Sequence, residues 1–408
     1  MAATMTFQYS VRDRAGKLVT GKIDADSPAA VAQKLKSMGY APVSIAKTKT
    51  GGMSADISLP KMGAAVKLKD LAVFSRQFAT MINAGLSLLR ALTILEEQTE
   101  SKELAKVLTD VRQDVETGQS LSAALGKHPR IFPPLMVNMT RAGEIGGFLD
   151  SVMLQIAENY EAEVKLRGKV KSAMTYPVVV FCIAILAVTG MLLFIVPVFA
   201  GMFKTLGGEL PAPTRILVLL SNLLKFGFPF IFGGLIAAIV VWQRIKHKEG
   251  VHRFIDPLKL KTPVFGQLFQ KIALSRFARN LGTMLSSGVP ILQSLDIVAE
   301  TTGNTVVGDA VRDVQDSVRN GESLTGPLSQ HPVFPPMVVQ MLAVGEDTGA
   351  LDAMLHKVSE FYDQEVEATT EALTALIEPL MIAVLGGIIG SMIIALYMPI
   401  FKIFDLIK

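Results

Sequence analysis

The sequence predicts a mostly α-helical, polytopic membrane protein with two duplicated cytoplasmic helical-bundle domains, three transmembrane helices and a small N-terminal α/β segment. Three observations lead to this prediction. Half of the 408 residues are hydrophobic, and only 19% are charged. Three uncharged stretches are long enough to cross a bilayer. The pattern Gly-Glu-x-x-Gly-x-Leu-Asp occurs at residues 143–150 and again at 345–352, which indicates an internal repeat.

The first element is a small segment at residues 1–45. Alternating residues around Asp13-Arg14-Ala15-Gly16 predict a β-hairpin, Ser27-Pro28 begins a short helix, and residues 41–45 return as a strand. Residues 46–65 show no periodicity and are predicted to be a flexible linker. The polar N-terminus lacks the apolar core of a secretory signal, so we do not expect a secreted protein.

Residues 66–172 are predicted to form the first cytoplasmic domain. Apolar residues recur there at helical spacing, and strand-type alternation is absent. Signals for helix starts and ends lie at Gly85, Gly118, Ser120, the Phe132-Pro133-Pro134 turn and Phe148. The helix after the proline turn is expected to end near Gly143, and the one from about Phe148 leads into the membrane. The domain is therefore predicted to be a compact antiparallel helical bundle.

The three predicted transmembrane helices cover residues 176–203, 216–243 and 378–401. They overlap uncharged runs of 32, 18 and 23 residues at 172–203, 226–243 and 379–401, where about 20 residues are needed to cross a bilayer. The middle run is the shortest, and a buried or re-entrant helix is its alternative. We favour a span, because the apolar residues 216–224 extend it.

The basic residues predict the orientation of these helices. Clusters of them precede the first span and follow the second: Lys165, Arg167, Lys169, Lys171, Arg244, Lys246, Lys248 and Arg253. Because positive residues stay cytoplasmic, the N-terminus and residues 244–377 are expected inside. The loop at 204–215 and the C-terminus are then outside, in a multi-pass membrane protein.

The repeat extends well beyond the shared motif. Residues 74–94 align with 277–297 at an offset of 203, and the offset becomes 202 after one residue is lost near His331-Pro332. Even Pro197-Val198-Phe199 of the first span matches Pro399-Ile400-Phe401 of the third. The duplicated unit is therefore a cytoplasmic domain followed by a membrane helix, and residues 244–377 form the second domain. The middle span returns the second copy to the cytoplasmic side.

The repeated motif predicts a corner between two helices. Gly143 and Gly345 are interpreted as left-handed residues that end a helix, and Gly147 and Gly349 release the chain into the next one. Asp150 and Asp352 then fall in a first helical turn, where negative charge suits the helix dipole.

The acidic residues of the motif leave two readings open, because a turn does not require them. In the structural reading, Glu144 and Glu346 lie at the corner without a functional contact. In the functional reading they contact a partner, a neighbouring subunit or a cation, together with Asp150 and Asp352. Arg141 precedes the first motif, so it can orient Glu144 or share its partner. The set of candidate contact residues is Arg141, Glu144, Asp150, Glu346 and Asp352.

Two further glycines suggest a packing surface in the third span. Gly386 and Gly390 form Gly-x-x-x-Gly, a spacing that lets another helix approach closely. That helix is either a span of the same chain or one from another membrane protein or a second subunit.

Catalytic signatures are missing from the sequence. It contains no Walker A motif, no His-Glu-x-x-His and no Gly-x-Ser-x-Gly. The single cysteine, Cys182, excludes an intrachain disulfide and a cysteine-rich metal site. A net charge of +4 is too small to indicate nucleic-acid binding. We expect no enzyme activity, no cofactor and no metal site.

The duplicated domains, the recurring motif and the proline-containing spans resemble the type II secretion F family, the inner-membrane platform proteins of type II secretion and type IV pilus machines. The resemblance covers residues 66–408. VKLKDLAVFSRQFATMINAGL and KVKSAMTYPVVV are most similar to the pilus branch, as is the N-terminal segment. One departure is Glu378, which stands where the first copy has Tyr176.

This resemblance implies a non-enzymatic scaffold that couples a cytoplasmic ATPase to the insertion or removal of pilins. The implied partners are hexameric assembly and retraction ATPases, pilins, other inner-membrane alignment proteins and further copies of the chain, but no nucleic acid. Some relatives bind calcium in the first cytoplasmic domain. The alternatives are a type II secretion platform and, from another class, a membrane transporter. The near absence of ionisable residues in the spans disfavours the transporter.

Overall fold

A computed structural model describes residues 5–12, 18–25, 27–37, 41–47, 66–205, 210–245 and 249–406. The chain divides into two units, residues 1–63 and 64–408.

The N-terminal unit is a three-stranded antiparallel sheet with one helix. Its elements are β1 (Met5–Arg12), β2 (Leu18–Ala25), α1 (Pro28–Ser37) and β3 (Ala41–Lys47). The strand order is β2-β1-β3. Val31 and Leu35 of α1 are buried against Ile23 and Ala25, so one face of the helix closes the small core. The predicted turn at 13–16 and the linker from residue 48 onward lie outside the described residues.

Every regular element that the structure describes in the second unit is a helix. The first repeat contains α2 (Leu68–Asn83), α3 (Leu88–Gln98), α4 (Lys102–Glu116), α5 (Leu121–Gly126), α6 (Pro134–Gly146) and α7 (Leu149–Gly190). A π-helical turn (Met191–Ile195), α8 (Val196–Thr205), α9 (Ala212–Ile245) and α10 (Glu249–Lys261) follow. The second repeat contains α11 (Phe265–Ser286), α12 (Ile291–Thr301), α13 (Thr305–Arg319), α14 (Thr325–Gln330), α15 (Pro336–Thr348) and α16 (Leu351–Leu406).

Most helix ends lie where the local sequence places them. Gly85 and Gly118 adopt φ of +82° and +92° directly after α2 and α4, a conformation that glycine adopts without steric cost. Ser120 caps α5, since its Oγ accepts the Ala123 N–H at 3.3 Å. The predicted end of α6 near Gly143 is wrong, because that helix continues for almost another turn to Gly146.

The two repeats share one continuous hydrophobic core. In the first repeat, Phe74 stacks on Phe78 with ring centroids 5.6 Å apart and packs against Phe132 at 5.9 Å. In the second repeat, Phe277 meets Phe334 edge to face at 5.1 Å. Phe277 and Phe334 are the repeat equivalents of Phe74 and Phe132, so the duplication preserved the same aromatic contact in both bundles.

Within the part of the chain that the structure describes, two helices are long and apolar enough to cross a membrane: Leu149–Phe203, which includes the π-helical turn, and Leu351–Pro399. Each begins inside a bundle and continues into a predicted span. The middle predicted span lies in the 34-residue helix α9, part of whose side chains lies outside the described residues. Near the far ends of α7 and α16, Leu192, Val196, Leu217, Met392 and Leu396 form a small separate core.

Candidate functional site at the duplicated helix corner

Glu144 holds the N-terminus of a neighbouring helix. Its Oε1 accepts the backbone N–H of Leu121 at 2.5 Å, and its Oε2 accepts that of Ser122 at 3.0 Å. These are the first two N–H groups of α5, which have no partner within their own helix. A carboxylate also suits the positive end of the helix dipole. The acid therefore joins α6 to α5.

Glu346 makes the corresponding contact in the second repeat. Its Oε1 and Oε2 lie 3.0 and 3.2 Å from the backbone nitrogen of Leu324, which donates to both. Leu324 is the residue before α14 and the repeat equivalent of Leu121. Sequence reasoning missed this role, although the signal was present: Gly-x-Ser-Leu recurs upstream of each motif at a matching distance.

The glycines of the motif exchange their predicted roles. Gly147 and Gly349 are the left-handed residues that end α6 and α15, with φ of +74° and +67°. Gly143 and Gly345 instead lie inside those helices. A Cβ on Gly143 would lie 3.0 Å from Val152 Cγ2, and one on Gly345 would lie 2.9 Å from Leu351 Cα. The prediction of left-handed Gly143 and Gly345 is wrong, because close approach of the following helix selects glycine there.

The other members of the predicted contact set are more exposed. Asp150 and Asp352 lie in the first turns of α7 and α16, as predicted. Asp150 is exposed and Asp352 is half-buried. Arg141 is exposed, and its Nη1 donates to Asn138 Oδ1 at 3.4 Å rather than to Glu144.

Gly386 and Gly390 lie on an open part of α16. A Cβ on either residue would meet no atom within 4 Å. Among the residues that the structure describes, no other span of this chain packs on them, so the intrachain reading of the Gly-x-x-x-Gly pattern gains no support.

A second duplicated contact was not predicted from the sequence. In the first repeat, Arg76 donates to Glu161 through Nε at 2.7 Å and Nη2 at 2.6 Å. In the second, Arg279 Nη2 donates to both carboxylate oxygens of Asp363. The alignment offsets make these the same pair, which joins α2 to α7 and α11 to α16. No short motif marks it, because the partners are separated by 85 and 84 residues.

Glu163 of α7 connects the two repeats. It accepts from Arg276 through Nη2 at 2.6 Å and Nε at 3.2 Å, and from Arg167 at 2.6 Å. Burial by itself would raise the pKa of Glu163, but the charges and hydrogen bonds of Arg276 and Arg167 outweigh it, so the pKa lies below its ordinary value. In the exposed pair, hydrogen bonding to Arg76 lowers the pKa of Glu161.

These arrangements position helices. Within the described residues, no group of three or more His, Cys, Asp or Glu side chains is arranged to hold a metal ion. Glu144 and Glu346 at the corners are engaged with backbone N–H groups, and Glu163 between the repeats is engaged with arginines. The site therefore consists of two equivalent helix corners, and separate ion pairs join the long helices within and between the repeats.

Comparison with known proteins gives matches over almost the whole chain. The family model "Type II secretion system (T2SS), protein F" matches residues 74–197 and 277–399, and the model for the N-terminal domain of that family matches residues 1–46. The Type IV pilus assembly protein PilC of Thermus thermophilus is 46% identical over 402 residues, covering 97% of this chain and 98% of the relative. PilC of Myxococcus xanthus is 42% identical over 401 residues, covering 98% and 95%. The Type II secretion system protein F of Vibrio cholerae is 31% identical over 402 residues, covering 98% and 99%.

Proposed function

The chain belongs to the type II secretion system protein F family, and on that basis we propose that it is the inner-membrane platform of a type IV pilus assembly machine. Family membership confirms the resemblance drawn from the sequence. The identities favour the pilus branch, since the two pilus assembly relatives are 46% and 42% identical to this chain while the secretion relative is 31% identical.

One structural observation carries the mechanical part of this proposal. Each cytoplasmic bundle shares an uninterrupted helical connection with an apolar segment, Leu149–Phe203 in the first repeat and Leu351–Pro399 in the second. Inside the bundles, the Arg76–Glu161 and Arg279–Asp363 pairs tie these helices to α2 and α11. A displacement applied to a bundle is therefore transmitted along the helix into the membrane.

We propose a non-enzymatic role in which the force comes from outside the chain. A hexameric assembly or retraction ATPase acts on the cytoplasmic bundles, and the membrane helices act on pilins beside other inner-membrane alignment proteins. The finer topology also belongs to this proposal: three transmembrane helices, a cytoplasmic N-terminus and a C-terminus outside. The bundles are then placed where a cytoplasmic motor reaches them.

We further propose that the exposed part of each corner contacts the motor or a neighbouring subunit. Arg141 and Asp150 are exposed on the first corner, where Ile145 is 83% exposed and is an apolar contact point beside them. Glu144 and Glu346 then act indirectly by fixing the corner, while Asp352 supplies part of the surface in the second repeat.

Deletion of the gene in its native cell tests the proposed function. We expect surface pili and pilus-dependent motility to disappear, and secretion of folded exoproteins to continue unchanged. Complementation with the full-length chain should restore both pilus phenotypes. The opposite result, normal pili with failed exoprotein secretion, would contradict the proposal and assign the chain to the type II secretion branch.

A further inference from the structure

One polar face of the first helix of each bundle is buried in the second repeat, on α11, and more exposed in the first, on α2. Three α11 side chains on this face are buried, with exposed fractions of 6, 8 and 5%: Arg279, Asn280 and Thr283. At the offset of 203, their equivalents on α2 are Arg76, Gln77 and Thr80. Gln77 and Thr80 are exposed, and Arg76 is only partly buried. The residue types are similar in the two repeats, but the burial is not.

The cover on the α11 face is supplied by α7 of the first repeat. Asn159 Nδ2 donates to Asn280 Oδ1 at 3.2 Å and lies 3.4 Å from Thr283 Oγ1. One turn along, Glu163 pairs with Arg276 at 2.6 Å and lies 3.8 Å from Arg279 Nη1. One turn in the other direction, Gln155 Oε1 accepts from the hydroxyls of Ser286, the last residue of α11, and of Ser287 directly after it. A line of α7 residues at 155, 159 and 163 therefore covers the polar face of α11.

The repeat equivalent of that covering line is uncovered on α16. At the offset of 202 the residues are Lys357, Phe361 and Glu365. Lys357 and Phe361 are exposed, Phe361 to 40%, and Glu365 is partly buried. Among the residues that the structure describes, no helix therefore covers this face of α2, and the equivalent line on α16 covers no other helix.

One charged contact of the intrachain pair has an equivalent on the two surfaces. Glu365, which also pairs with Lys271 at 2.7 Å, stands where Glu163 stands, so in an equivalent contact its carboxylate faces Arg76 as Glu163 approaches Arg279 at 3.8 Å. The two surfaces differ from the intrachain pair at two positions. Val73, 47% exposed, replaces Arg276, and Phe361, 40% exposed, replaces Asn159. Each surface therefore carries an exposed apolar side chain that a second protein chain would bury.

We propose that a second copy of this chain covers α2 with its α16, and so repeats between subunits the contact that α7 makes with α11 within one. The contact is heterologous, because different faces of the two subunits meet, and such contacts close into rings when the rotation permits. The inference goes beyond the pilus role and does not depend on it, since it rests on the repeat equivalence and burial alone.

Disulfide cross-linking of the full-length chain in native membranes tests this contact. The native Cys182, which is exposed, is first replaced by Ser. Two differently tagged chains are then co-expressed, one carrying Thr80→Cys and the other Phe361→Cys. A chain carrying both Asn159→Cys and Thr283→Cys serves as the matched control, because it reports the equivalent contact within one subunit. Glu103→Cys on the exposed side of α4, co-expressed with Phe361→Cys, gives the background.

We expect oxidation to produce a mixed-tag dimer from the Thr80→Cys and Phe361→Cys chains and none from the Glu103→Cys combination. The Asn159→Cys/Thr283→Cys chain should cross-link without any increase in mass. Absence of the mixed-tag dimer while the intrachain cross-link forms would overturn the proposal. So would Thr80→Cys chains that cross-link only to one another, because α2 would then face α2. Neither result bears on piliation, so failure here is distinguishable from failure of the proposed function.

Discussion

Glu144 and Glu346 each fix the N-terminus of another helix in their own repeat, and this contact gives the acid of the motif a physical reason. Two backbone N–H groups of α5 donate to one carboxylate, and both would otherwise lack a partner near a half-buried corner. Gly143 also has a physical reason, because the following helix leaves no room there for a Cβ.

Replacing Glu144 by Gln is expected to lower stability. The amide keeps one acceptor oxygen but loses the second acceptor and the negative charge at the helix N-terminus, which together contribute about 1 kcal/mol. The thermal midpoint of the detergent-solubilised chain should fall by a few degrees. Glu97→Gln, an exposed acid at the end of α3, should leave it unchanged. An unaltered midpoint for Glu144→Gln combined with loss of pili would show instead that Glu144 contacts a partner directly.

Sequence reasoning worked at the residue scale where one residue decides the backbone, and failed where two distant residues decide it. Gly85, Gly118 and Ser120 were placed correctly, because each acts on its own helix end. The capping by Glu144 was missed because its partners lie 22 and 23 residues upstream. The roles of Gly143 and Gly147 were interchanged, because a close helix approach and a left-handed turn both select glycine.

At the scale of elements, the interface between the two repeats contains a cluster of ion pairs around Glu163, and the strength of these pairs depends on the protonation of that residue. Glu163 lies between Arg276, Arg167 and Arg279, and its folded pKa is below the unfolded value. A depressed folded pKa contributes stability above the unfolded pKa, near 4.3, and this contribution is lost as the pH falls through the folded pKa.

Glu163→Gln should therefore destabilise the chain at neutral pH and matter less in acid. It leaves Arg276 without its carboxylate partner while the interface stays buried. The difference in thermal midpoint between the parent and the variant should be largest near pH 7 and shrink below about pH 4. A difference that stays constant across this range would show that packing, and not the charge of Glu163, supports the interface.

The open glycine face of α16 gives a second prediction for this scale. Because Gly386 and Gly390 have free space around their Cβ positions, replacing both with Leu is expected to leave the membrane level and thermal midpoint unchanged. Their small size should matter only to a helix from outside the chain, so the variant should lose mass in detergent or lose pili. A fall in thermal midpoint with normal pili would restore the intrachain packing role.

For the long helices, the sequence pattern predicts where each helix lies but not which side chains join it to its neighbours. Helical spacing and the uncharged runs located α7 and α16, including their passage from bundle to span. The duplicated Arg–acid pair was not foreseen, since nothing local couples Arg76 to Glu161. The joining of both repeats into one core was not foreseen either, because each bundle has enough apolar residues to be read as a separate domain.

At the scale of the whole molecule, the proposed topology follows from the basic residues flanking the spans. In a Cys182→Ser background, cysteine at position 209 should react with an impermeant thiol reagent in cells whose outer barrier is permeabilised. Cysteine at position 248 should react only after the inner membrane is disrupted. Both positions lie outside the described residues, so the labelling tests the topology independently of the structure. Labelling of position 248 in cells with an intact inner membrane would reverse the orientation.

The proposed mechanism requires the unbroken helix from the first bundle into its span to transmit displacement, and Gly168 offers a matched pair of substitutions to test this. Gly168 lies in α7 between the bundle and the span, with no atom within 4 Å of an added Cβ. Alanine there favours the helix by roughly 1 kcal/mol, whereas proline removes a hydrogen bond and kinks it at a cost of about 3 kcal/mol.

Counting surface pili on cells that carry each variant is the most direct measurement. We expect Gly168→Ala to support normal piliation and Gly168→Pro to abolish it, with equal membrane levels and with the Asn159→Cys/Thr283→Cys cross-link still forming within the chain. That cross-link shows that the bundles remain joined when pili are lost. Normal piliation by Gly168→Pro under the same conditions would contradict the account, because a broken connection would then transmit as well as an intact one.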